Sequence, residues 1–351
     1  MLIKIAAMFC ASVLSMALAQ RSTAESAFVG VRQTTAPSKE RGTDLPVIVW
    51  YPADAGGKLV TLGESQFFYG TDARLDAPIA HGRYPLILLS HGAGLGGTPQ
   101  AMSWIATPLA KQGFIVAAPV HFGNGGATRS AAETMKLWLR PADISATLDA
   151  LEKQTLFEDH LEPGRTGVLG LSMGGNTALA LAGGRIDPIR LASYCDNEAL
   201  NPSLCGWVKQ SSVDLHVMDM RLADRDNRDK RIEFAMVIDP APVDVFQTGP
   251  FSKVSIPVEI VNLGQPGAIP QTLLASGIAR AIPGGMYSTL QNASHYSMFG
   301  VCKPGVSEIA KSEDIDEPIC SDVDGHSRLE IHRELINMVI EAFDQRLKTE
   351  R

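Results

Sequence analysis

The stretch Thr166-Gly167-Val168-Leu169-Gly170-Leu171-Ser172-Met173-Gly174-Gly175 decides how the rest of the chain is read. A short apolar run, Val168-Leu169, ends in Gly170-x-Ser172-x-Gly174. An alanine- and leucine-rich helical segment follows from Asn176 to Ala182. Strand, tight turn and helix in that order are the setting of a nucleophile elbow. The turn forces the serine into a strained backbone conformation, and side chains on its neighbours would collide, so glycines flank it. The hydroxyl then stands clear of the sheet at a helix N-terminus, where backbone N–H groups can face a developing negative charge. A bare Gly-x-Ser-x-Gly also occurs by chance in loops. The strand before it, the helix after it and the doubled glycine set this one apart.

Outward from the elbow, the pattern alternates. Tyr84 to Ser90 (YPLILLS) is a continuous apolar run, the mark of a strand buried on both faces. Phe114 to Val120, Phe234 to Ile238, Val258 to Leu263 and Met286 to Leu290 read as further strands, and Phe28 to Arg32 and Leu45 to Tyr51 as two early ones, the second ended by Pro52. Between the early pair and Tyr84, the segment from Ala53 to His81 reads as irregular surface loop. Met102 to Gln112 and Ala131 to Lys153 carry helical patterns, the latter broken near Pro141. The last helix spans Arg328 to Leu347, with Leu329, His332, Leu335, Ile336, Val339, Ile340 and Phe343 as its apolar stripe. Buried strands alternating with amphipathic helices predict an α/β architecture: a mostly parallel central sheet with helices on both faces. Two excursions interrupt it. Residues 185–233 are polar and are expected to form a helical or loop cap insertion, and residues 299–326 a second loop insertion.

The chain has 351 residues, 45% hydrophobic and 20% charged, with a net charge of −7. No basic cluster stands out beyond mixed runs such as Arg225 to Arg231, so nucleic acid is not an expected partner. Lys4, the apolar run Ile5 to Leu18 and the closing Ala17-Leu18-Ala19 have the form of a signal peptide, residues 1–19, with the catalytic domain on 20–351. That run is short for a bilayer span, so no stable membrane anchor is expected after cleavage, and the mature protein is expected to be secreted or periplasmic. Export leaves four cysteines, Cys195, Cys205, Cys302 and Cys320. In an oxidising compartment an even count points to disulfides. Three connectivities are possible. The local pairs, Cys195–Cys205 and Cys302–Cys320, are preferred because each would staple one excursion.

A serine hydroxyl needs a base to take its proton, and the base needs a third group to orient it. Where the serine sits on such an elbow, the acid and then the histidine follow it in the chain. His216, His295, His326 and His332 are the candidates for the base. His295, between the strand-like Met286 to Leu290 and the last helix, is the one in the right place. For the acid, the exit of Val258 to Leu263 reads Gly264-Gln265-Pro266 and offers no carboxylate. Asp239, where the Phe234 to Ile238 run ends, is therefore chosen, with Asp244 in reserve; a plain turn-former before Pro240 is the competing reading. Two preorganised N–H donors are needed for the oxyanion. Met173, after the serine, supplies one. Ala93, in the His91-Gly92-Ala93-Gly94 loop, supplies the other, with Gly92 and Gly94 as alternatives. His121 to Arg129 (HFGNGGATR) either lines the substrate cleft or is a flexible turn.

At His91-Gly92-x-Gly94, Gly170-x-Ser172-x-Gly174-Gly175 and Ser294-His295 the chain resembles the α/β-hydrolase fold. More narrowly it resembles the secreted bacterial "predicted dienelactone hydrolase" group, related to platelet-activating-factor acetylhydrolase. Val49-Trp50-Tyr51-Pro52, Arg140-Pro141-Ala142-Asp143 and Leu148-Asp149 are further marks of it. The resemblance extends over nearly all of the mature chain. It differs from true dienelactone hydrolases, which use a cysteine where this chain has Ser172. The acetylhydrolases place their acid one strand earlier than many relatives, as Asp239 is placed here. With the resemblance, the expected function is a carboxylic ester hydrolase acting through an acyl-enzyme on a small-molecule ester, with no cofactor. A lipase would need a large apolar lid, and because Arg185 to Glu233 is strongly polar, short or soluble acyl groups are expected instead. Acyl transfer, amide cleavage or a non-catalytic binding role are the alternatives.

Overall fold

The computed structural model describes residues 26–126, 129–322 and 325–348. The expected signal peptide lies outside them. Ten strands are described: β1 (Phe28–Ser38), β2 (Thr43–Ala53), β3 (Lys58–Leu62), β4 (Thr71–Leu75), β5 (Tyr84–Ser90), β6 (Ile115–Pro119), β7 (Leu161–Leu171), β8 (Ile232–Ile238), β9 (Val258–Leu263) and β10 (Met286–Leu290). The α-helices are α1 (Ser103–Lys111), α2 (Ala131–Thr134), α3 (Leu139–Leu151), α4 (Thr155–Glu158), α5 (Met173–Ala182), α6 (Pro188–Ala192), α7 (Pro202–Gln210), α8 (Ser276–Ala281), α9 (Val306–Ser312) and α10 (Arg328–Phe343).

The strands form one sheet in the order β10-β9-β8-β7-β5-β6-β2-β1-β4-β3. From β6 to β10 every neighbouring pair is parallel, while β2 pairs antiparallel with both β1 and β6. From β5 the chain moves to β6 on one side and then to β7 on the other. That reversal leaves a crevice at the carboxyl ends of β5 and β7, where α/β sheets bind ligands. The loop after β5 and the elbow after β7 both open there.

The continuous apolar run of β5 is explained by its two-sided burial. Leu86 and Leu88 join the core cluster that contains α3 and α5 residues, and Ile87 and Leu89 join the one that contains α1 and α10 residues. Successive strand side chains point to opposite faces, and here both faces are covered. On α10 the buried stripe is Ile331, Leu335, Val339 and Phe343. Leu329 is 59% exposed, so the expected stripe is rotated at its start.

Three other expectations are corrected. The segment 53–81, read as loop, contains the short antiparallel pair β3 and β4 at the sheet edge. Its side chains are mostly exposed or half-buried, so it lacks the apolar signal of the central strands. Pro52 does not end β2, which runs on to Ala53. The break in the 131–153 helical pattern falls at 135–138, ahead of Pro141, which sits in the first turn of α3. A proline is tolerated there because its missing N–H would have no intrahelical acceptor.

Both cysteine pairs form as expected, Cys195–Cys205 and Cys302–Cys320. Segment 185–233 carries α6 and α7, and its Leu191, Tyr194, Val208 and Leu215 join the core cluster on the α3 and α5 side. Among the described residues no helix is long and apolar enough to cross a membrane.

Candidate active site

β7 ends at Leu171 and α5 begins at Met173, so Ser172 alone makes the turn. Its backbone has φ 54° and ψ −121°, a region that a residue with a Cβ enters only under strain. The flanking glycines are required by close approach. A Cβ on Gly170 would lie 2.1 Å from the Gly174 carbonyl oxygen, and one on Gly174 would lie 1.7 Å from that of Ser90. The elbow is tied to the neighbouring strand. The Ser172 amide donates to Ile238 O at 3.0 Å, and its carbonyl accepts from the amides of Gly175 (2.8 Å) and Ala241 (3.0 Å).

Ser172 Oγ donates to His295 Nε2 at 3.1 Å, and His295 Nδ1 donates to Asp239 Oδ2 at 2.7 Å. The three residues come from the exits of β7 and β8 and from the turn after β10, and only folding brings them together. Asp239 is fully buried, at φ 42°. Its other oxygen accepts from the Leu263 amide (2.9 Å) and from Asn262 Nδ2 (2.7 Å). Both donors stand on β9, the strand whose exit offers no carboxylate. Asn262 was not singled out in the sequence, where it reads as a polar residue inside an apolar strand. That misfit was the available signal. Asn262 is itself held, donating to Leu273 O at 2.8 Å and accepting from the Ala275 amide at 2.9 Å.

The His295 turn is anchored from behind. The Ser294 amide donates to Ser297 Oγ (3.0 Å), which donates to Asp322 Oδ1 (2.9 Å), which accepts from Arg328 Nε (2.8 Å). His332 Nε2 donates to the carbonyls of Ser297 (2.9 Å) and Phe299 (3.0 Å), and its ring stacks on Trp104 at 3.8 Å. Burial pushes the His332 imidazole down to about 4. The remaining candidates lie elsewhere. His216 is exposed against Asp196, His326 neighbours Asn292, and Asp244 has no bond to His295. Burial raises the Asp244 carboxyl.

Met173 heads α5, where an amide has no intrahelical acceptor. Ala93 follows β5 in an extended conformation, and the next amide, Gly94, is pinned to Asn124 O at 2.9 Å. His91 supports this loop. Its Nε2 accepts from the His121 amide at 3.3 Å, which leaves Nδ1–H to donate to Gly92 O at 2.9 Å. Gly92 O belongs to the same peptide unit as the Ala93 N–H, so this bond polarises the candidate donor. His91 and His121 are both buried, and burial holds each well below the ordinary histidine value, hence neutral.

A cavity of about 50 Å³ lies against Ser172, lined by Ala93, Met102, His295, Met298 and Phe299 among others. Phe299 also lines a second cavity of about 620 Å³, walled by Phe67, Phe68, Tyr69, Gln100 and Trp104. The strip 67–69 is bonded to the stapled insertion: the Tyr69 amide donates to Val301 O (2.8 Å) and the Lys303 amide to Phe67 O (2.9 Å). Among the described residues, none of 185–233 or of 121–129 lines either cavity. His121 and Asn124 are buried beside the His91–Gly94 loop rather than facing either cavity. Arg129 lies over the Trp207 ring at 4.2 Å, which joins that turn to α7.

Residues 59–138 match the family model for platelet-activating factor acetylhydrolase, isoform II. This bears out the resemblance over the segment that carries the His91 loop and the β6 exit. A ferulic acid esterase from Streptomyces cinnamoneus superposes with a TM-score of 0.61 over 93% of each chain, at 17% identity. The chain has the α/β-hydrolase fold. The chain also aligns with a Pyrococcus horikoshii acylaminoacyl peptidase at a TM-score of 0.51 and 10% identity, over 92% of this chain and 43% of the other. No curated protein matches the chain by sequence.

Proposed function

We propose that the protein is a serine hydrolase of carboxylic esters. The observation that carries this is the continuous chain from Ser172 Oγ through His295 to Asp239, at 3.1 and 2.7 Å, on a strained elbow beside a cavity. Ser172 attacks the acyl carbonyl while His295 accepts its proton. Asp239 holds the imidazole with Nδ1 protonated and stabilises the imidazolium. The Ala93 and Met173 amides receive the oxyanion. His295 then protonates the leaving alcohol and activates the water that releases the acid.

The 50 Å³ cavity has room for only a few heavy atoms, which favours a short acyl group. The larger aromatic-walled cavity across Phe299 receives the alcohol part. Two disulfides fit export to an oxidising compartment. The test is hydrolysis of p-nitrophenyl esters from acetate to decanoate by the mature protein and its Ser172→Ala variant. Turnover that falls with chain length in the wild type, and vanishes in a folded variant, is expected. A folded wild type that turns over none of the series and resists a small fluorophosphonate at Ser172 sinks the reading.

A further inference from the structure

Arg140, in the first turn of α3, is 1% exposed. A desolvated guanidinium is costly unless its N–H groups are satisfied, and such groups are usually paired with a carboxylate. The nearby carboxylate, Asp143, is already engaged, accepting from Arg41 Nε (3.0 Å) and Nη2 (2.7 Å) and from His121 Nδ1 (2.8 Å). The described hydrogen bonds of Arg140 all go instead to neutral oxygens. Nε donates to Thr177 Oγ1 at 2.9 Å, and one terminal nitrogen donates to Asn124 Oδ1 at 2.6 Å. The other donates to Ser90 Oγ at 3.3 Å and to the His91 carbonyl.

These acceptors sit on both sides of the candidate oxyanion site. The His91 carbonyl lies just before Gly92-Ala93, and Asn124, through its own carbonyl, holds the Gly94 amide just after it. The Ala93 donor is thus clamped at both ends by groups that Arg140 touches. On the other side, Thr177 Oγ1 donates to the Met173 carbonyl at 3.2 Å, within the first turn of the helix that Met173 heads. One rigid planar fork therefore spans the loop of one donor and the helix of the other. Burial lowers the Arg140 guanidinium to about 9, so the group keeps its charge at neutral pH.

We propose that Arg140 is a positioning residue that fixes the spacing of the Ala93 and Met173 amides and so sets the strength of the oxyanion hole. The proposal rests on the hydrolase reading above. It covers no substrate contact: Arg140 acts through Thr177, Asn124 and the His91 carbonyl. Preorganised donors help most where charge develops, so loosening them lowers kcat and leaves KM nearly unchanged.

The experiment compares wild type, Arg140→Met, Arg140→Lys and Thr177→Val on p-nitrophenyl acetate and on the matching thionoester, whose carbonyl oxygen is replaced by sulfur. Sulfur draws less from an oxyanion hole, so the ratio of ester to thionoester kcat/KM reports on the donors and is insensitive to the fraction of protein folded. Expected are kcat losses of about 100-fold for Arg140→Met and about 3- to 10-fold for Thr177→Val, with KM within about 2-fold and the ester-to-thionoester ratio falling in step. Arg140→Lys, which keeps the charge but not the fork, is expected between them. If Arg140→Met does not fold, Thr177→Val and Arg140→Lys decide. An unchanged ratio in those two overturns the clamp while leaving the hydrolase reading intact. A wild type without esterase activity defeats the hydrolase reading first, and the clamp falls with it.

Discussion

Ser172, His295 and Asp239 stand at the mouth of the crevice. Ser90, His121 and Asp143 repeat the same residue types inside the protein. The distances are alike: 3.1 and 2.7 Å in the first set, and 2.9 and 2.8 Å in the second. The surroundings are not. The His295 side chain is 27% exposed and Ser172 lines a cavity, whereas the side chains of His121 and Asp143 are fully buried. Asp239 accepts from neutral donors besides His295, while Asp143 is bridged by the charged Arg41, which offsets part of the rise that burial imposes on its carboxyl. Ser172 is strained at φ 54°, and Ser90 is a regular strand residue at the end of β5. On the proposed reading, a hydrogen-bonded Ser–His–Asp chain is not by itself sufficient for a nucleophile. Access and an elbow separate the candidate active site from a structural network built of the same parts.

The largest effect expected from breaking that contrast is at the two serines. Ser172→Ala is expected to lower kcat by about 10⁴-fold or more, and Ser90→Ala by less than about 10-fold. Mass spectrometry after fluorophosphonate treatment should find label on Ser172 and none on Ser90; modification of Ser90 would erase the distinction.

The two acids come next. Asp239→Asn is expected to cost about 10⁴-fold in kcat with little loss of stability, because the wrong imidazole tautomer is favoured. Asp143→Asn is expected to do the reverse, destabilising by about 3 kcal/mol because it leaves the buried Arg41 side chain with only the more distant, half-exposed Glu133 as a carboxylate partner. Urea unfolding beside a kcat measurement separates the two. Equal stability losses would mean that Asp239 too is chiefly structural. A smaller effect is expected at Asn262→Ala, about 10-fold in kcat, through a less firmly held Asp239.

The third buried histidine sharpens the comparison through pH. Unfolded, His332 takes a proton near 6.5; folded, it does so only near 4. Its folded value is depressed, so the unfolded state binds more protons in between. Stability is full above pH 6.5 and is lost as pH falls towards 4, by about 3 kcal/mol at most. His91 and His121, lowered in the same direction, add to the slope. Stability against pH for wild type and His332→Gln should show a shallower acid limb in the variant; parallel curves would remove His332 from the account.

Much of this was legible in the chain. The elbow announces itself because its glycines, strand and helix are contiguous, and the steric reasons for them are local. Tyr84 to Ser90 gives away its two-sided burial because both faces of β5 meet apolar neighbours. The edge pair β3 and β4 escaped notice because a half-exposed strand carries no such run. Leu329 looked like core because helical spacing gives a stripe but not its rotation against the sheet.

What the sequence determined by itself was therefore the order of elements, the strained serine and the list of residues able to act as acid and base. Those properties depend on neighbours within a few positions. Only the tertiary structure brought His295, already chosen in the sequence, and Asp239 into one hydrogen-bonded chain with Ser172, and decided that Asn262 holds Asp239 and that Ser90–His121–Asp143 is sealed beneath the His91–Gly94 loop. Each of those pairings spans tens of residues and two or more strands. Their geometry is set by the crossing at β5 and β7, and burial, which separates the two Ser–His–Asp sets, is a property of the packed whole.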